Sequence, residues 1–222
     1  MPHYREALAR LWNVWLARRH GDRATLARAW ARAGKGSALR DDEDPAKGTV
    51  AFPFGKAGRL DDALEGKVDD PELAVPRVSD VLRFLTEVQT RYYDAMRAHL
   101  KGIGVRVPVA GTNQMFFHAD TRVNAEGFGF ISRNQYWRHP NRNAQPFSKF
   151  SNDPMVRVDL ATERNPLAVV ATTSVAGKPQ AVAEYNFPWP NEHRCEGWLL
   201  SAAYACLQDW DIFLYFSYGA EG

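Results

Sequence analysis

The chain has 222 residues, 45% of them hydrophobic and 24% charged, with a formal net charge of +2. This ordinary globular composition excludes a long disordered tail, a collagen-like chain and a coiled coil. The 28 basic residues are nearly matched by 26 acidic ones without long blocks, so nothing argues for a nucleic-acid partner. No apolar run approaches the ~20 residues a membrane helix needs. The segment from Met1 to Glu6 has no stretch of signal-peptide type, and localisation stays open. The 7 Trp, 8 Tyr and 12 Phe suit a packed core, and equally a cleft for the flat apolar faces of sugars. Cys195 and Cys206 have neither metal nor redox spacing and read as buried free thiols.

The spacing of Leu8, Leu11, Trp12, Trp15 and Leu16 predicts a helix from Tyr4 to His20, ended by Gly21. Asp22 suits the N-cap of a second helix running to Ala33. Residues 35–76 read as a long loop, rich in Gly and Pro. Its acidic cluster Asp41-Asp42-Glu43-Asp44 reads as solvated and lacks calcium-loop spacing. Ser79 or Asp80 caps a long helix to about Leu100, whose buried stripe includes Val81, Phe84, Leu85 and Val88. Strands are expected at Val105–Ala110, Phe128–Ile131, Gln180–Ala183 and Ile212–Phe216. Helices are expected at Leu167–Val175 and Arg194–Leu207. Four strands separated by crossovers argue for a parallel α/β fold. Polar residues follow each strand, on the face where such folds place their sites.

Glu184 leaves the apolar strand Ala181-Val182-Ala183, and Tyr185, Asn186, Phe187, Trp189 and Asn191 follow. A strand-end carboxylate ringed by aromatics and amides suits glycoside hydrolysis, which needs two carboxyl groups and an aromatic wall for the sugar. Equally, Glu184 suits a helix cap or an Arg partner. Tyr136 and Trp137 offer a sugar platform or an aromatic lid over the core. His139 offers a donor in a loop, and Asn113 either a ligand contact or an ordinary turn residue. There is no HExxH, GxSxG or P-loop, so no metal and no cofactor is expected.

Several segments together resemble the second half of cellulase-like and β-galactosidase-like barrel glycoside hydrolases. They are Leu11-Trp12-Asn13-Val14-Trp15-Leu16, Pro108-Val109-Ala110-Gly111-Thr112-Asn113, Tyr136-Trp137-Arg138-His139-Pro140, Ala183-Glu184-Tyr185-Asn186 and Pro188-Trp189-Pro190-Asn191. The resemblance implies a TIM-type (β/α)8 barrel and a retaining mechanism with two catalytic glutamates, on strands four and seven. It places Glu184 at the nucleophile position, with Asn113, Tyr136, Trp137, His139, Trp189 and Asn191 shaping the sugar site. The expected strands would be five to eight, and the acid/base position has no match. Ser132 and Asn134 stand where similar proteins often have Asp and His. A complete barrel usually needs about 250 residues. The chain is therefore expected to be the carboxyl-terminal half of such a barrel, taking an oligosaccharide or polysaccharide and inactive when isolated. The alternatives are a half-barrel that pairs through its exposed sheet edges, as in a homodimer, and a carbohydrate-binding protein without catalysis.

Overall fold

A computed structural model describes residues 2–54, 60–65, 67–113, 118–137, 165–187 and 191–216. The chain divides into two compact units, Met1–Gln89 and Thr90–Gly222. It is a mixed helix and sheet protein, which agrees with an α/β class. Among the described residues its sheets are small and open, of two and three strands.

The first unit is built on aromatic packing. Helix α1 (Pro2–His20) buries Trp12, Trp15 and Leu16 on one face. Trp12 stacks on Trp15 and Trp30 and meets Phe84 at 5.3 Å. Gly21 adopts a φ of 80°, a left-handed turn that ends α1 cheaply only for glycine. Helix α2 (Arg23–Ala29) follows, and Asp22 accepts from Thr25 N at 2.7 Å as its N-cap. It stops short of Ala33, because β1 (Ala31–Arg32) turns back antiparallel on β2 (Gly36–Ser37).

The stretch 35–76 is more than a loop. Besides β2 it carries 3-10 turns at Pro45–Lys47 and Pro71–Leu73 and the short helix α3 (Leu60–Leu64). Two buried polar clamps fix it. Asn13 Nδ2 donates to Val50 O at 3.0 Å, and Val50 N donates to Asn13 Oδ1 at 2.9 Å. Glu43 and Arg77, both 0% exposed, meet fork to fork at 2.8 Å and 2.8 Å. Glu43 therefore departs from the solvated reading of its acidic cluster, whereas Asp41 and Asp42 are exposed. Burial pushes the Glu43 carboxyl up. Arg77 and the N–H groups of Arg40 and Ala51 outweigh this and hold it below the usual range.

Helix α4 (Val75–Gly102) begins earlier than the expected cap. Asp80 is no cap. It is buried inside the helix, accepting from Trp30 Nε1 at 2.9 Å and lying 2.8 Å from His20 Nε2.

The second unit holds a parallel sheet in the order β3 (Ile131–Asn134), β4 (Gln180–Tyr185), β5 (Ile212–Tyr215). Helix α7 (Arg194–Leu207) forms the β4–β5 crossover, with the bounds the sequence implies. Helix α6 (Pro166–Ala171) is capped by Asn165. Leu167 and Val170 of α6 join Val182, Tyr185, Phe187, Trp137 and Trp210 in the core. Asp211 fixes the strand starts, accepting from Gln180 N at 2.9 Å and returning its own N–H to Gln180 O at 3.0 Å.

Two expectations change here. Residues 105–110 form no strand of the sheet, so three of the four expected strands are present among the described residues. The segment instead meets the residue run before β3 by one bond, Gly129 N to Val109 O at 3.2 Å, and the turn after it reaches β3 through Asn134 N to Asn113 O at 2.6 Å. The strand expected at Phe128–Ile131 begins at Ile131 instead. The preceding helix α5 (His118–Gly127) was not expected; its sequence carries no strong apolar period.

Candidate functional site

The ends of β3 and β4 bring together Glu184, Tyr136 and Asn134. The ladder pairs Arg133 with Val182 and then Asn134 with Glu184, so β4 spends one extra residue there. The β5 ladder agrees, since Val182 pairs with Phe213 and Tyr185 with Tyr215. This is a β-bulge, a feature that re-aims side chains.

Its consequence follows from pleat parity. In a regular strand residues 182 and 184 share a face, and 185 takes the other. Here Val182 and Tyr185 both enter the core. Glu184, next to Tyr185, is thereby turned off the core and is half-buried. Without the extra residue its carboxylate would lie on the apolar side.

Tyr136 Oη donates to Glu184 Oε2 at 2.5 Å. The backbone supports this contact on both sides. Gln135 N donates to Glu184 O at 2.9 Å, and Trp137 N donates to Asn186 O at 3.1 Å. These bonds carry the β3–β4 pairing past the ladder and fix the phenol against the carboxylate. Burial, and then the neighbouring Glu184 carboxylate, push the Tyr136 phenol well above its ordinary pKa. The phenol is thus a donor at any working pH. A hydrogen bond to an ionised carboxylate is worth roughly 1.5–3 kcal/mol.

The remaining expected site residues divide. Asn113 is exposed, and its carbonyl is the group that accepts from Asn134 N. Trp137 is 2% exposed and stacks on Phe187 at 5.5 Å, so it packs the core instead of forming a sugar platform. Asn191 is also buried, and its Oδ1 accepts from His193 N at 2.7 Å, an Asx turn into α7. His139 and Trp189 lie outside the described residues.

Two residues join that were not expected as site residues. Asn134 pairs with Glu184 in the ladder, and its buried Oδ1 has no donor among the described residues. Buried acceptors of this kind are uncommon and call for a reason. Asn124 of α5 clamps the turn before Asn113. Its Oδ1 accepts from Gly111 N at 2.9 Å and Thr112 N at 3.2 Å, and its Nδ2 donates to Thr112 O at 2.7 Å. A Cβ on Gly111 would lie 2.7 Å from Phe128, so the clamp needs glycine there. A strand-end Asn could have flagged the first; nothing in the helix pattern flags the second.

Among the described residues no group of three or more His, Cys, Asp or Glu could hold a metal ion. No helix described is long and apolar enough to cross a membrane. Compared with known proteins, the chain matches no family model, no curated protein and no solved structure.

Proposed function

We propose that the chain is the carboxyl-terminal half of a (β/α)8-type glycoside hydrolase, with Glu184 as the nucleophile of a retaining reaction on a β-linked sugar. The observation that carries this reading is the β4 bulge. It takes one carboxylate off an apolar face and presents it at the carboxyl end of a central parallel strand, already hydrogen-bonded by Tyr136. Two further observations support it. Consecutive parallel strands are neighbours in chain order, as a barrel wall requires. Among the described residues β5 is an edge strand; it exposes Ile212 and Leu214, and Phe216 just after it, surface that an adjoining half would cover.

In this reading Glu184 attacks the anomeric carbon while the leaving oxygen takes a proton from a second carboxyl group. The glycosyl–enzyme ester is then hydrolysed by water. The Tyr136 phenol holds the attacking carboxylate and leaves its other oxygen available. The second carboxyl group comes from the other half of the site.

That division of labour gives a test that the 222-residue chain can meet. A 2-deoxy-2-fluoroglycoside with a dinitrophenolate leaving group needs no proton donor to form the ester. Mass spectrometry should find one glycosyl adduct, on Glu184, absent from Glu184→Gln. No adduct across a panel of β-gluco, β-galacto and β-manno probes would sink the nucleophile assignment. Oligosaccharide binding without an adduct would leave the carbohydrate-binding alternative standing.

A further inference from the structure

The strand end that leads to Tyr136 is held on both of its edges. Along a strand, alternate N–H groups point to opposite edges. Ile131, Gln135 and Trp137 donate toward β4 and its flanks, to Pro179 O, Glu184 O and Asn186 O. Asn134 falls between them in this alternation, so its N–H points away from β4. On that side β3 has no partner strand among the described residues. The group that takes the bond there is the carbonyl of Asn113, at 2.6 Å. A turn thus does for the end of β3 what a neighbouring strand would do.

That turn has little backbone pairing of its own and is held by one side chain. Asn124, on α5, is 0% exposed. Its Oδ1 accepts from Gly111 N at 2.9 Å and from Thr112 N at 3.2 Å, while its Nδ2 donates to Thr112 O at 2.7 Å. A single amide therefore grips the turn through both donors and acceptors, and a buried network satisfied in this way rigidifies what it joins. The fit is tight as well: a Cβ on Gly111 would lie 2.7 Å from Phe128 and 2.9 Å from Asn124 Oδ1. Phe128 belongs to the run that enters β3, where Gly129 N adds its bond to Val109 O at 3.2 Å.

We propose that Asn124 is a positioning residue for the Tyr136–Glu184 pair. It holds the turn at 111–113, the turn holds Asn134, and Asn134 fixes the strand end from which Tyr136 reaches Glu184 Oε2. Asn113, expected as a sugar contact, acts here through its backbone carbonyl. The use of the pair in hydrolysis rests on the glycosidase reading; the positioning itself does not.

Tyrosine labelled with 13Cζ reports this positioning without a substrate. In the unaltered full chain Tyr136 should stay protonated at about pH 11, where an ordinary tyrosine is mostly ionised, because burial and Glu184 push its phenol up. Tyr185, 0% exposed, is also pushed up by burial and serves in the same spectrum as the reference for an intact fold. A thiol reductant is present, since Cys195 and Cys206 are exposed, contrary to the sequence expectation, and thiols ionise in alkali. In Asn124→Ala, Tyr136 should ionise at that pH while Tyr185 stays protonated. Asn124→Asp keeps both accepted bonds and gives up only the donation to Thr112 O. It should show a smaller ionised fraction of Tyr136, and it is the variant to read should the alanine chain fail to fold. The glycosyl adduct on Glu184 should also form roughly ten- to hundredfold more slowly in Asn124→Ala, the loss expected when a reacting group is misplaced by about 1 Å. If the unaltered chain forms no adduct, the nucleophile reading falls and the tyrosine spectra alone decide the positioning. Tyr136 protonated at that pH in both variants, or Tyr136 and Tyr185 ionising together in both, would overturn the proposal.

Discussion

The phenol of Tyr136 and the carboxylate of Glu184 face each other across two parallel strands, 2.5 Å from Oη to Oε2. Neither position alone suffices for this. The bulge turns Glu184 off the core, and the backbone bonds at Gln135 and Trp137 carry the β3–β4 pairing on to Tyr136.

This pair predicts a titration. Burial raises the Tyr136 pKa first, and Glu184 raises it further. In a spectrum of 13Cζ-labelled tyrosine, Tyr136 should therefore stay protonated through pH 11, where an exposed tyrosine with a pKa near 10 is mostly ionised. Glu184→Gln removes the charge and keeps the burial, so the midpoint should fall without returning to the ordinary value. A Tyr136 midpoint near 10 in the unaltered chain would contradict the contact.

The position of Glu184 was legible in the sequence, but its orientation was not. Gln-Ala-Val-Ala-Glu-Tyr alternates small and larger residues in a way that regular pleating accepts, and regular pleating puts Glu184 beside Val182 on the core face. Whether an extra residue is inserted depends on both neighbouring strands, which lie far away in sequence. Helix α7 was legible to its ends because Leu and Ala, strong helix formers, fill it and turn residues bound it. Val105–Ala110 misled for the opposite reason. Its β-branched residues favour a strand, but Pro108 supplies no N–H to a ladder. The burial of Trp137 and Asn191 is not legible in the sequence, because a ring or an amide looks alike in a cleft and in a core.

The Glu43–Arg77 pair predicts an asymmetric response to mutation. Both groups are wholly buried, and Arg77 also donates to Ala38 O at 3.2 Å, with its guanidinium 4.8 Å from the Trp30 ring. Removing one partner strands the other charge, at a cost of about 3–5 kcal/mol. Glu43→Ala and Arg77→Met should each lower the urea midpoint severely. Because their loss is shared, the double variant should lie well above the sum of the two. Additivity would mean that the pair does not interact.

The same carboxylate predicts acid sensitivity. Its folded pKa lies below the ordinary glutamate value of about 4.3. The stability it contributes is therefore complete above that value and is lost as pH falls from there through the folded pKa. Urea midpoints between pH 6 and pH 3 should fall less steeply in Glu43→Gln than in the unaltered chain. Asp22 and Asp69 are lowered in the same direction, so an acid slope persists in both proteins, and the difference is the quantity to read.

Gly197 predicts how closely α7 is seated. A Cβ at this position would lie 2.7 Å from Cδ2 and 2.9 Å from Cε2 of Phe187. The ring cannot give way freely, because it is 3% exposed and stacked on Trp137. Alanine would gain about 1 kcal/mol from helix propensity, but overpacking costs about 1–3 kcal/mol, so Gly197→Ala should be net destabilising by up to about 2 kcal/mol. Phe187→Leu should lose stability on its own through the missing ring. Combined with Gly197→Ala it should recover part of the loss, since the added methyl then occupies space the ring has left. The double-mutant coupling measured by urea denaturation checks this. A coupling of zero would place α7 further from the sheet than the 2.7 Å approach requires.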